Sequence, residues 1–285
     1  MSRLPAVILL AAVAAVWGAT FPVVKGALAD AGPLTFLALR FGLATVCLLP
    51  WLRSRGSSGV GVARAVLCGV ALFGGYAFQT WGLQATTPAR SAFITAISVV
   101  LVPLLEPLVG IGRPCRRVWI GALMAFGGLA VLLRPESRPI SIGDVLTLGC
   151  ALAFAAHVLL LQWAARVLPA TRLSAVQIVA STALAVPAAG VEGWRFSATP
   201  RLAVAVVVCA LLATVFAFWA MTAVQRVLSA GLTAVVLAFE PAAAALVSVA
   251  IGQDALGGAL VAGGALVIAG VVVATIEPRG APNVA

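Results

Sequence analysis

Charge is what this chain has least of. Only 9% of its 285 residues are Asp, Glu, Lys or Arg, the acids number eight, and there is one histidine. Against 63% hydrophobic residues this leaves no face for water, which excludes a soluble domain. The scarcity excludes chemistry as well. There is no HExxH, no glycine-rich phosphate loop and no pair of acids at matched depth in the apolar runs, so an intramembrane enzyme has too few converging groups. Of five cysteines, Cys47, Cys68, Cys150 and Cys209 lie in apolar runs and Cys115 in a loop; without CxxC or metal spacing they read as small hydrophobes. No metal and no cofactor is expected.

What is present is apolar sequence in runs long enough to cross a bilayer. About 20 apolar residues span the hydrocarbon. The chain holds ten such runs, near residues 4–25, 33–52, 62–83, 88–110, 117–134, 143–165, 172–190, 200–226, 229–251 and 256–276. The leftover chain is short, so function must lie among the helices. Turns are punctuated at Asp30-Ala31-Gly32-Pro33, at Arg53 to Gly59, at Pro135 to Pro139 and at Glu192-Gly193-Trp194. The stretch from Arg134 to Ser141 is the expected join between two halves, residues 4–134 and 143–276.

Those halves repeat one another. Gly121 and Gly128 match Gly263 and Gly270 at an offset of 142 residues; Tyr76-Ala77-Phe78 matches Phe216-Ala217-Phe218 at 140, and Leu39-Arg40-Phe41 matches Val176-Gln177-Ile178 at 137. Five spans per copy is an odd number, so the second copy would cross the bilayer upside down. The expected fold is all-α: ten transmembrane helices in two inverted five-helix repeats.

A net charge of +10 suggests nucleic acid at first sight, but the basic residues are scattered over loops without aromatic interleaving. They read as topology signals. With the N-terminus in the cytoplasm, eleven fall inside (Arg3, Arg53, Arg55, Arg64, Arg113, Arg116, Arg117, Arg166, Arg172, Arg226 and Arg279) and six outside (Lys25, Arg90, Arg134, Arg138, Arg195 and Arg201). Both termini are therefore expected in the cytoplasm, in a plasma-membrane protein. Arg3 and the apolar stretch after it also fit a secretory signal, but the internal counterpart 143–165 favours a true span.

The residues also carry a resemblance. Val16-Trp17-Gly18-Ala19-Thr20-Phe21-Pro22, Leu39-Arg40-Phe41, Gly143-Asp144-Val145-Leu146 and Phe239-Glu240-Pro241, in this order and spacing, resemble the EamA-type proteins of the drug/metabolite transporter superfamily over residues 6 to about 275. The resemblance implies a ten-helix carrier with a central cavity between two inverted halves, exporting an amino acid, a related metabolite or a lipophilic drug. The Gly-Glu-Arg-like turn that often ends the fourth helix of such halves is replaced here by Ile111-Gly112-Arg113-Pro114 and Ile251-Gly252-Gln253-Asp254. An ion pair made by that acid is therefore not expected.

Polar groups inside the runs are the candidate site, since a charge at mid-bilayer costs about 2.5 to 3.5 kcal/mol even on the lenient insertion scale. Glu240 lies eleven residues into the ninth span, roughly 16 Å deep. A continuous helix would put Thr233, Leu237, Glu240, Ala244 and Ser248 on one face, and Pro241 would free the Leu237 carbonyl beside the acid. Glu240 reads equally as a substrate or proton group and as a packing device. Arg40 reads as a clamp for a carboxylate or a helix C-terminus, or as a side chain snorkelling to the outer interface. Glu106 reads as an interfacial ion pair with Arg113, Arg116 and Arg117, with a substrate role as the alternative, and Ser91, Thr95 and Ser98 on its face would line the cavity higher up. His157 would relay protons or bond a backbone carbonyl. Trp17, Tyr76 and Trp219 are cavity aromatics, Trp81 an interface anchor, and Gln79, Thr95 and Gln177 complete the polar set. The glycines at 121, 127, 128, 263, 264 and 270 mark close helix contacts.

The reading these residues support is a secondary transporter moving a small molecule by alternating access, with protons as a second partner if Glu240 titrates. It would work as a monomer or homodimer. The alternatives are a non-transporting assembly or regulatory subunit and, further off, an intramembrane enzyme.

Overall fold

Caps, prolines and apolar length set the helix limits in this protein, a computed structural model that describes residues 1–53, 59–86, 88–134, 139–250, 252 and 257–276. In chain order the helices are α1 (Arg3–Ala27), α2 (Pro33–Leu52), α3 (Gly59–Gly82), α4 (Pro88–Thr95), α5 (Ser98–Leu105), α6 (Arg116–Leu133), α7 (Ile142–Ala165), α8 (Ala170–Glu192), α9 (Pro200–Ala210), a π-helical turn (Leu211–Phe216), α10 (Ala217–Val224), α11 (Ala230–Leu237), α12 (Phe239–Ala250) and α13 (Gly258–Thr275). Pro33 and Pro200 open α2 and α9, where a missing N–H costs nothing. Ser141 and Asp144 form a reciprocal cap at the start of α7.

Among the described residues nine helices, counting α9 through α10 and α11 through α12 each as one, are long and apolar enough to cross a membrane; a shorter apolar stretch, Arg90–Leu105, stands in the place of the expected fourth span. This is the expected set of spans with one revision. The fourth span ends at Leu105 rather than near 110, because the chain turns at Glu106 and Gly110 takes φ +69°, a left-handed conformation open to glycine. The expected turn at 54–58 and the join at 135–138 lie outside the described residues.

The fourth and ninth spans are both broken. The break at Ala96-Ile97 and the break at Ala238 divide each into two helices, and α4 and α11 match at an offset of 142 residues from first residue to last. Pro241, three residues past the second break, donates no hydrogen bond to Leu237. The continuous face expected from Thr233 to Ser248 is therefore interrupted, and the side chain of Ser248 lies outside the described residues.

Packing follows the duplication. α2 packs on α8, α6 on α13, α3 on α7, and α1 on α9, α10 and α12. Glycines let α6 and α13 touch backbone to backbone: a Cβ at Gly121 would lie 2.4 Å from the Gly270 carbonyl oxygen, and one at Gly263 would lie 2.6 Å from that of Gly128. Such contacts suit lipid, where association gains from close van der Waals fit rather than from expelling water.

Loop contacts define two ends. At the far end the turn 28–32 meets the segment 193–199: Gly32 N–H donates to Arg195 O (2.8 Å), Ser197 N–H donates to Asp30 O (2.7 Å), and Ala31 pairs with Phe196. Asp30 receives both arms of Arg201 at 2.7 Å, and the Thr199 hydroxyl donates to it at 2.7 Å. Together they hold the Asp30 carboxyl down to about 2. Glu192, closing α8, accepts from the Thr35 N–H (2.9 Å) and hydroxyl (3.1 Å) at the start of α2. Also at this end, Asp144 binds the Thr86 hydroxyl at 2.7 Å and Arg90 at 2.9 Å. The near end carries the start of α1, the turn after α5 and the start of α11.

Candidate functional site

The buried polar groups gather into two clusters, the first bridging the halves and the second within the second half. In the first, Arg40 sits on α2 with only 4% of its surface exposed. Its Nε donates to Thr214 Oγ1 (2.7 Å) and its Nη2 to Tyr76 Oη (3.1 Å) and the Ala213 carbonyl (2.9 Å); the guanidinium stands 4.7 Å from the Tyr76 ring centroid. The snorkelling alternative is thereby corrected: Arg40 turns inward to the second half, where charge-assisted bonds and an aromatic face replace water.

What makes this possible is the π-helical turn. Ala217 N–H bonds back to Leu212 O and the Thr214 hydroxyl to Cys209 O (2.8 Å), each five residues behind. Widening the helix turns the Ala213 carbonyl outward, where the Trp17 indole also donates to it at 2.9 Å. Two candidates from the first half, Trp17 and Arg40, thus share one acceptor in the second. Neither Thr214 nor this carbonyl stood out in the sequence. A lone threonine in an apolar run was the only signal.

Glu240 is the second residue of α12, next to the break, and lies within the electrostatic reach of Arg40, Tyr76 and Cys150. Its carboxylate has no hydrogen-bond partner among the described residues. Gly18 allows α1 to approach here, because a Cβ would lie 2.6 Å from the Glu240 carbonyl oxygen. Thr95 reaches the same region through a 3.7 Å contact with Cys150 Sγ. Tyr76 packs edge-on against Phe41 and Phe154, and Gln79 lies half-buried one turn further along α3.

The second cluster centres on Gln177, the repeat counterpart of Arg40. Its Oε1 lies 2.9 Å from His157 Nε2 and its Nε2 3.5 Å from Thr222 Oγ1, while the Ser174 hydroxyl donates to Thr222 Oγ1 at 3.2 Å. His157 is thus bound by a side chain instead of the backbone carbonyl expected, and its ring meets Phe218 edge-on at 5.7 Å. Phe218 in turn contacts Trp17 at 5.4 Å, linking the clusters. Trp219 packs with Phe216 against α1, beside Val13 and Trp17. Thr233 is fully buried on α11, and its hydroxyl has no partner among the described residues.

Glu106 lies apart from both clusters. The ion pair expected with Arg113, Arg116 and Arg117 is not formed; the carboxylate, 1% exposed, accepts the Gly231 N–H at 2.9 Å. Among the described residues no three His, Cys, Asp or Glu side chains gather as a metal site. The arrangement offers a cation, a carboxylate and aromatic walls, but no nucleophile paired with a base.

Comparison with known proteins gives a consistent picture. The family model described as the EamA-like transporter family matches twice, at residues 4–134 and 141–276. A protein of Archaeoglobus fulgidus named "Uncharacterized transporter" is 33% identical over 277 residues, which is 97% of this chain and 88% of its own length. A second protein of that organism with the same name is 25% identical over 225 residues, 74% of this chain and 76% of its own. A solved structure described only as "Crystal structure of protein" shares the fold with a TM-score of 0.82 at 22% identity, covering 96% of this chain and 97% of its own.

Proposed function

The chain belongs to the EamA-like transporter family, and from that premise we propose that it exports a small zwitterionic solute by alternating access about the Arg40 and Glu240 cluster. It is an integral membrane transporter; the solute, the direction and the coupling are our reading. The near end would face the cytoplasm, in keeping with the excess of Lys and Arg there, and the two halves would be inverted copies.

The observation that carries the reading is the pairing of an engaged arginine with an unengaged acid. Arg40 Nη1 and the Glu240 carboxylate both lack a hydrogen-bond partner among the described residues, in a place where an unsatisfied charge is costly. A solute carboxylate would bind Nη1, and a solute ammonium would sit by Glu240. Trp17, Tyr76 and Phe154 would flank its apolar part, with Gln79, Thr95 and Thr233 along the path. A proton on Glu240 would replace the solute ammonium on the return stroke, which couples the cycle to a pH gradient; Gln177 and His157 would support the opposing wall.

Flux into proteoliposomes tests this. Radiolabelled neutral amino acids should exchange across the bilayer, faster with an imposed pH gradient, and should not do so in Glu240→Gln or Arg40→Gln. Equal flux with and without the gradient would remove the coupled version, and no flux of any zwitterion would remove the solute assignment.

A further inference from the structure

The duplication makes one asymmetry informative. α4 and α11 occupy equivalent places, yet α11 is buried from Ala230 through Val236 whereas Ala92 to Thr95 of α4 stay half-exposed. At the near end α11 packs against α5, α6 and α7. At the far end α4 and α12, the equivalent of α5 and α11, do not form a matching contact face among the described residues. The fourth and ninth spans therefore converge at the near end and diverge at the far end.

The near-end convergence has a specific fastening. The first amides of α11 are claimed one by one: Ala230 N–H by Gln162 Oε1 of α7 (2.7 Å), Gly231 N–H by Glu106 (2.9 Å) and Leu232 N–H by its own cap Ser229 (3.2 Å). Gly231 and Gly112 leave room for the carboxylate, since a Cβ on either would stand 2.8 or 3.0 Å from the Glu106 oxygens and push them aside. Arg166 closes the same end through the Ile111 carbonyl and adds a positive charge in reach of Glu106. The far end has no equivalent in sequence: at the 142-residue offset Ser248 stands for Glu106, Thr20 for Gln162, and Pro88, which lacks an N–H, for Ala230.

We propose that Glu106 is the clasp of the near-end gate, holding the start of α11 against the fourth and sixth spans, and that its release opens the transport path to that side. Among the described residues no such clasp joins the fourth and ninth spans to each other at the far end, where the Asp30–Arg201 and Glu192–Thr35 contacts tie other helices of the two halves, so these two spans rest closed at the near end. This rests on the alternating-access reading above, but its test reads geometry instead of flux.

Spin-label pairs in the full-length protein in nanodiscs would measure both ends: Leu108 with Val227 at the near end, Gln84 with Ala250 at the far end, all exposed positions. Two variants loosen the clasp differently. Glu106→Gln removes the charge, and Gly231→Ala displaces the carboxylate while keeping it. In each, the long-distance near-end population should rise about tenfold, the effect of losing one charge-assisted bond, with a matching shortening at the far end. Folded variants with unchanged near-end distances would overturn the proposal. So would near-end lengthening without the far-end change, which is fraying and not gating. Distances that switch in a protein showing no flux would leave the clasp standing and remove the transported solute.

Discussion

The Arg40 guanidinium donates to the carbonyl of Ala213, 173 residues further along the chain and in the opposite half of the protein. One bond thus joins a charge that the bilayer disfavours to a backbone acceptor that a regular helix would have kept for itself.

That bond predicts a sharp difference between arginine and lysine. Arg40→Lys keeps the charge but not the planar fork that serves Thr214, Tyr76 and Ala213 together, so flux should fall at least tenfold and the thermal midpoint in detergent should drop. Arg40→Gln should do no better. Wild-type flux in the lysine variant would show that charge alone is needed.

Glu240 should separate coupling from folding. With no hydrogen bond to lose, Glu240→Gln is expected to fold with a thermal midpoint near that of the wild type while losing its response to a pH gradient. Glu240→Asp should retain the response at reduced rate. The comparison is flux at several imposed gradients, with folding followed by circular dichroism.

At the far end, the Asp30 carboxyl is held down to about 2 by Arg201 and Thr199. A carboxylate with a depressed folded value stabilises above its unfolded value and loses that contribution as pH falls through the folded one. Stability should therefore decline between about pH 4 and pH 2 in the wild type. The effect will be small, because Arg201 is largely exposed and solvent screens the pair. Asp30→Asn should flatten that portion of the melting-temperature profile and leave values near pH 7 only slightly lower.

The α6 and α13 contact should tolerate no added carbon. Gly263→Ala brings a methyl within 2.6 Å of both the Gly128 carbonyl and the Leu132 amide, with backbone and not a flexible tip in the way. Overpacking of this kind costs about 1 to 3 kcal/mol. Gly264→Ala, whose Cβ would meet only Leu132 Cδ1 at 3.9 Å, should be close to neutral. Reversible unfolding of the two variants in mixed micelles would give the difference directly.

Much of this was legible in the residues. Spans and turns followed from apolar length and from punctuation such as Asp30-Ala31-Gly32-Pro33, and the paired glycines marked where two helices would touch. Glu240 stood out simply as an acid in an apolar run. Partners were another matter. Glu106 sits close in sequence to Arg113, Arg116 and Arg117, but its carboxylate points to Gly231, 125 residues away. His157 finds Gln177, a side chain on the next span. The breaks at Ala96-Ile97 and Ala238 also escaped the periodicity, because an apolar run reads the same when a helix stops and restarts within it.

The sequence by itself determined the solvent, the helices and the duplication. In hydrocarbon each backbone group must be satisfied within its own segment, so apolar length dictates a helix locally, without reference to the rest of the chain. Only the tertiary structure decided which polar groups meet and at which end the fourth and ninth spans touch. Those contacts join residues on different spans, several of them from opposite halves, and their geometry depends on how closely the helices pack, on one π-helical turn and on the breaks in two spans.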